Sequence, residues 1–158
     1  MDHSVHENPR RSLSLNRLAA QATTHCLIGC GIGEVLGLVI GTALGWTTAP
    51  TIVLAVALAF VFGYSLTLWP LVRSGMTFGA AAGLAFAADT LSITVMEIVD
   101  NGIILIVPGA MDAHLDSPLF WGSLALALAI AWVVAFPVNR WLIARGRGHA
   151  VVAEHHAH

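Results

Sequence analysis

Lysine is absent from this chain of 158 residues, and charged residues of all kinds make up only 10% of it. A soluble domain carries about 25% charged residues, whereas 57% of this sequence is hydrophobic. The formal net charge is −2, so the basic surface that binds nucleic acids is missing and no nucleic-acid partner is expected. The composition is typical of an integral membrane protein whose surroundings are the lipid bilayer.

Cysteine is scarce as well. The two cysteines, Cys26 and Cys30, stand four residues apart in an apolar segment, which excludes a disulfide framework. The first twenty residues contain no apolar run, so we expect no cleavable signal peptide. The first apolar segment is then the one that directs insertion into the membrane.

Four apolar segments are long enough to cross a bilayer, which takes about 20 residues. They run from Ala22 to Trp46, from Ile52 to Leu71, from Phe78 to Val107 and from Leu119 to Ile143. Short loops make successive helices antiparallel, and open strand edges are not tolerated in lipid. The sequence predicts an all-α, polytopic membrane protein.

The predicted domain organisation has three parts: a polar cytoplasmic tail over residues 1–20, a four-helix transmembrane domain over 21–144 and a His-rich cytoplasmic tail over 145–158. A His-rich tract can bind metal. The simpler interpretation is a solvated tail, and we favour it.

The arginines indicate the topology. All seven fall in the N-terminal region, the second loop and the C-terminal region, and the first and third loops contain none. With four spans, these three regions lie on one side of the membrane. The positive-inside rule then places both termini in the cytoplasm.

The first apolar segment carries a glycine at every fourth position: Gly29, Gly33, Gly37, Gly41 and Gly45. Four residues advance an α-helix by slightly more than one turn, so these glycines, here called the glycine rail, form one shallow groove. Rows of small residues let membrane helices approach closely. We expect the rail to pack against another helix, of this chain or of a second copy, and it predicts a homo-oligomer.

Cys26, Cys30 and Glu34 follow the same spacing on the row beside the rail. Two sulfurs and a carboxylate therefore share one face, one turn apart. Thiolates bind soft ions such as Cu(I) or Hg(II), and Zn(II) with further ligands. The alternative is that the cysteines are small buried hydrophobic residues, but His25 beside them and Glu34 one turn on favour a ligand or redox role.

The third segment contains most of the remaining acids. Two neighbouring helical rows are Asp89, Ile93 and Glu97, and Ser92, Met96 and Asp100. An ionisable group at the bilayer centre costs roughly 2.5–3.5 kcal/mol on insertion scales and marks a functional site by default. The alternative is a structural network of carboxyl groups, which would need protons or cations because four carboxylates do not ionise together in low dielectric.

Depth along the helices connects the two sets. At about 1.5 Å per residue, Glu34 and Asp89 lie roughly 18 and 17 Å above the starts of their segments, so we expect them to face each other near the midplane. Cys26, Cys30 and His25 then lie toward the cytoplasm, and the acids of the third helix after Asp89 lie toward the outside. The second and fourth segments are interpreted as scaffold.

Five sequence segments, most of which carry these residues, resemble those of an uncharacterised family of small bacterial membrane proteins, a domain of unknown function. The five segments are Thr24–Glu34, Asp89–Ile93, Met96–Asn101, Pro137–Leu142 and Arg145–His149. The resemblance covers nearly the whole chain from about Ala20 and implies that these segments are hallmarks of the family. The predicted location is the bacterial inner membrane, which the chain crosses several times. No established activity comes with it.

The residues favour a transporter or channel for a transition-metal cation, with copper as the favoured ion and zinc or iron as alternatives. The predicted metal site is His25, Cys26, Cys30, Glu34, Asp89, Met96, Glu97 and Asp100. Carboxylates would form the exchangeable end of a cation path and thiols its tight end. Competing interpretations are an intramembrane redox enzyme, based on thiols or on a carboxylate-bound metal pair, and an accessory subunit with a structural ion or haem site.

The topology can be tested with a cysteine introduced at Ala113, in the third loop. Because that loop is predicted to lie outside the cell, a membrane-impermeant thiol reagent should label it in intact cells. Labelling that requires permeabilised cells would contradict the predicted orientation.

Overall fold

The structure is a computed structural model that describes residues 9–109 and 115–145, with side chains from residue 14 onward. It contains four α-helices and, within these ranges, no strand: α1 (Pro9–Ala43), α2 (Thr48–Arg73), α3 (Phe78–Ile106) and α4 (Pro118–Ala144). Each helix has a stretch long and apolar enough to cross a membrane. The predicted all-α, multi-pass fold is confirmed, whereas the His-rich segment from 146 onward lies outside the described residues.

Helix α1 begins at Pro9, well before the predicted start at Ala22. No glycine or proline interrupts residues 10–21, so nothing in the sequence stops the helix there. Tertiary packing adds support, because Leu15 and Leu18 pack against a cluster that contains Ile143 of α4. The membrane-spanning stretch accordingly starts near Ser14, and this shift changes which residues of α1 lie level with those of α3.

The ends of the other helices follow their local sequence. α4 begins with Pro118 in its first turn, and the Ser117 hydroxyl oxygen accepts the Leu119 backbone N–H at 3.2 Å. Gly45 follows the end of α1 with a φ of 66°, a left-handed conformation that glycine adopts without strain. Gly45 therefore belongs to the turn after α1 and not to the rail.

The glycine rail packs against α2 of the same chain. Gly29 faces Gly63, Gly33 faces Ala59, Gly37 faces Ala55, and Gly41 faces Thr51. Each step of four residues along α1 matches a step of four back along α2, as two antiparallel helices require. A Cβ atom added at Gly29 would lie 2.6 Å from the Gly63 Cα atom, so the two backbones are in direct contact.

This packing answers the question of which helix covers the rail. The groove is filled by α2, so it is not available to a second copy of the chain. The homo-oligomer remains a prediction, but α2 already covers the glycine rail on which that prediction was based. The faces turned away from the bundle carry large exposed apolar side chains, such as Val53, Ile98 and Val133, as expected for helices that contact lipid.

The close approach of α1 and α2 predicts that replacement by alanine has different effects on stability at two glycines of α1. In Gly33→Ala the new methyl group would collide with the Ala59 backbone, which should lower the free energy of unfolding by roughly 1–3 kcal/mol. In Gly31→Ala the nearest heavy atom is the Leu128 Cδ1 atom at 3.7 Å, so no loss is expected. Thermal unfolding in detergent micelles measures both, and equal stabilities would contradict the packing.

Candidate functional site

Seven of the eight predicted site residues are buried inside the bundle, and His25 is only half-buried. The seven are Cys26, Cys30, Glu34, Asp89, Met96, Glu97 and Asp100. Glu97, the most exposed of them, retains only 5% of its accessible surface. The prediction that two polar rows of α3 turn away from lipid is confirmed, because Ser92 and Ile93 on the same rows are also buried.

The contact nearest the N-terminal end of α1 joins Cys26 to Asp89. The Cys26 thiol donates a hydrogen bond to the Asp89 Oδ1 atom over 3.8 Å, and the Ser92 side chain also bonds to Cys26. Thr67 of α2 bonds to Asp89 and lies 3.1 Å from the Nε2 atom of His25. His25 therefore reaches Asp89 through a hydroxyl group, from the side that faces α2.

The next contact joins Cys30 to Glu97, whose side chains bond to each other. The Asn101 amide donates to the Glu97 backbone oxygen at 2.9 Å and to its Oε2 atom at 3.4 Å. One Glu97 oxygen, Oε1, has no hydrogen-bond partner among the described residues. A thiol and an acid thus share a site again, one turn further along α1.

The last contact joins Glu34 to Asp100. Their carboxyl groups lie side by side, and within the described residues no donor reaches either Glu34 oxygen or the Asp100 Oδ1 atom. Two carboxyl groups attract each other only when they share a proton or hold a cation between them. This acid pair is the least compensated group in the bundle.

The expectation that Glu34 faces Asp89 is wrong. Asp89 lies beside Cys26, and Glu34 lies beside Asp100. The cause is the start of α1: counted from Ser14, Cys26 lies about 18 Å along its span, level with Asp89 at about 17 Å along α3. The thiols are therefore not below the carboxylates, since each thiol lies beside one of them.

The three contacts form one continuous set, here called the acid–thiol column. It runs from Cys26–Asp89 through Cys30–Glu97 to Glu34–Asp100. The order of polar groups along α3 is as predicted, but the partners across the helix interface are shifted by two turns of α1. Met96 packs in the same core cluster as Cys26 and Cys30, so three sulfur-bearing side chains belong to one buried cluster.

Helices α2 and α4 contribute more than the scaffold that the sequence suggested. The Asn139 amide of α4 donates to the Thr23 and Ser92 hydroxyl oxygens, at 2.9 Å each. Asn139 and Thr67 stand on rows of small residues with a spacing of four, such as Ala127, Ala131 and Ala135 on α4. A polar residue on a row of small buried residues is the signal that would have identified them.

The arginines whose side chains the structure describes do not compensate the column. Arg73 and Arg145 lie over the rings of Trp69 and Trp141, 5.5 and 4.4 Å from the ring centres, and Arg140 donates to Asn16. All are at one end of the bundle. Within residues 9–109 and 115–145, moreover, no group of three or more histidine, cysteine, aspartate or glutamate side chains is arranged to hold a metal ion.

Comparison with known families agrees with the sequence strings. The chain matches the family model described as Domain of unknown function (DUF4396) over residues 15–148, and it belongs to that family. The match spans all four helices and thus the whole column. No curated protein and no solved structure matches the chain.

Proposed function

We propose that this protein binds a soft transition-metal cation, with Cu(I) favoured, and passes it along the acid–thiol column between α1 and α3. One observation carries the proposal. Three successive side chains on one face of α1 each contact a different acid of α3, in the interior of a bundle that presents apolar side chains to lipid.

A cation is the natural occupant of such a column. Buried acids in membrane helices are costly and usually line ion or proton paths. In the Glu34–Asp100 pair, both Glu34 oxygens and the Asp100 Oδ1 atom lack a hydrogen-bond donor among the described residues. Both acids would therefore stabilise a positive charge between them. The acid–thiol column offers successive sites about one turn apart, and conduction needs several sites that each bind only moderately.

The sulfur atoms favour a soft ion. Cys26, Cys30 and Met96 pack in one cluster, and thiolate and thioether ligands select Cu(I). Cu(I) accepts two or three such ligands, which is the number available here. A group of three acids and imidazoles is more suited to zinc or iron, and no such group exists in the described residues.

Ion binding is favoured over dithiol redox chemistry by the hydrogen bonds of the thiols. Both cysteines are free, and each bonds to an acid of α3, Cys26 to Asp89 and Cys30 to Glu97. An acid beside a thiol can accept its proton when a metal binds. By the positive-inside rule, we further propose that the arginine-bearing end faces the cytoplasm of a bacterium.

The sulfur cluster can be tested by metal analysis. Detergent-purified protein loaded with Cu(I) should retain copper, and the double variant Cys26→Ser with Cys30→Ser should retain none above a protein-free control. Met96→Leu should weaken binding about tenfold, since one ligand of three is lost. Met76→Leu is the matched control, because Met76 lies in the turn after α2, outside the cluster.

The result depends on the fold being intact, which circular dichroism and size-exclusion chromatography can establish for each variant. Copper retained at the wild-type level by the folded double variant would contradict the proposal. So would equal weakening by Met96→Leu and Met76→Leu, because the effect would then not come from the cluster.

A further inference from the structure

A cavity of about 190 Å³ opens near the end of the bundle that bears no described arginine. All four helices line it. Along α1 the lining residues recur at every turn, from Glu34 through Leu38 to Thr42, a depth of about 12 Å. Asp100 lines the same inner end from α3, so the uncompensated acid pair forms the floor of this chamber.

The floor is built from deeply buried polar groups. Glu34 retains 4% of its accessible surface and Asp100 retains 2%. Among the described residues, no hydrogen-bond donor reaches either Glu34 oxygen or the Asp100 Oδ1 atom. Buried oxygens without donors are rare and costly, and here two such side chains meet at the inner end of a cavity.

Three other polar side chains of the chamber have already used their hydrogens, while Thr42, Trp46 and Thr48 also line it. The Thr51 hydroxyl donates to the Thr47 backbone oxygen at 2.9 Å, and the Ser123 hydroxyl donates to the Leu119 backbone oxygen. The Asn101 amide donates to Glu97. What these three side chains still offer is oxygen lone pairs, so with the two acids they form a set of hydrogen-bond acceptors.

We infer that the chamber is a second cation site, and that it takes a hard divalent metal ion together with part of its water shell. Oxygen ligands suit Mg²⁺, Ca²⁺ or Mn²⁺, and water bound to a metal ion presents only donors, which suits the two acids and the lone pairs of these three side chains. A cavity of about 190 Å³ has room for such an ion together with several waters.

The walls of the chamber explain why the ion keeps water. Leu38, Ile52, Ile104 and Phe120 line the sides and offer no ligand, so on those sides the shell of an ion would be completed by water. Mg²⁺ in particular gives up its waters reluctantly. Bound there, the ion compensates the charge of the Glu34–Asp100 pair, and the Glu34 carboxylate turns toward it from its buried position.

This inference goes beyond the proposed function, because the two sites differ in ligand chemistry. The chamber offers oxygen and no sulfur, whereas the sulfur cluster lies deeper and offers thiols and a thioether. A hard ion should therefore bind in the chamber without the thiols, although the chamber shares the Glu34–Asp100 pair with the acid–thiol column.

Mn²⁺ is the probe that reports both binding and hydration. In a titration of the detergent-purified full chain, electron paramagnetic resonance counts free Mn²⁺, and relaxation of water protons shows whether bound Mn²⁺ keeps water. We expect one Mn²⁺ per chain with enhanced water relaxation. Glu34→Gln and Asp100→Asn should each weaken its binding at least tenfold.

Two controls separate this site from its surroundings. Asp116→Asn removes an exposed acid near the same end of the bundle that does not line the chamber, and it should leave Mn²⁺ binding unchanged. The double variant Cys26→Ser with Cys30→Ser should also bind Mn²⁺ normally, so that a failure of the sulfur site does not count against the chamber. In the wild type, Mg²⁺ should displace Mn²⁺ and methylammonium should not.

Three results would overturn the inference. The first is no binding of Mn²⁺ to the folded wild-type protein, and the second is wild-type binding in both acid variants. The third is displacement by methylammonium but not by Mg²⁺, which would make the chamber a site for organic cations. Mg²⁺ competition uses the unaltered chain, so the test holds even if an acid variant does not fold.

Discussion

A carboxyl group at the centre of a membrane helix costs roughly 2.5–3.5 kcal/mol on insertion scales, and this bundle buries four of them. Asp89 and Glu97 are partly compensated by hydrogen bonds from Cys26, Thr67, Cys30 and Asn101. Glu34 and Asp100 lie beside each other, and in the part of the chain that the structure describes no donor reaches either Glu34 oxygen or the Asp100 Oδ1 atom. The arrangement of the helices can be understood from the need to bring these groups together and away from lipid.

Helix α1 brings these groups together because each row of residues along it faces a different helix. The glycine rail takes α2 at backbone contact, and the next residues along the chain point about 100° further round the helix. Cys26, Cys30 and Glu34 therefore face α3 instead. Toward the other end of the bundle, Asn139 joins α4 to α1 and α3 through neutral hydrogen bonds, so the polar column passes from acids to neutral groups.

Much of this could be predicted from the sequence, because periodicity alone fixes which residues share a helix face. The burial of both rows of α3 and the four spans follow from it. The partners across the interface did not follow, since register depends on where α1 starts, and its polar first turns continue the helix to Pro9. Thr67 and Asn139 were missed because their signal is a single polar residue on a row of small residues, which shows only when the whole row is read as a buried face. The chamber was missed because cavities arise from packing.

Movement of a cation along the acid–thiol column can be measured as flux. Proteoliposomes enclosing a Cu(I)-sensitive fluorescent indicator would report the rate at which external Cu(I) enters. We predict entry well above that of protein-free vesicles, slowed at least tenfold by Asp89→Asn, since Asp89 is the acid beside the innermost thiol. Entry no faster than in protein-free vesicles, from a protein that nevertheless retains copper, would contradict such movement and leave a static ion site.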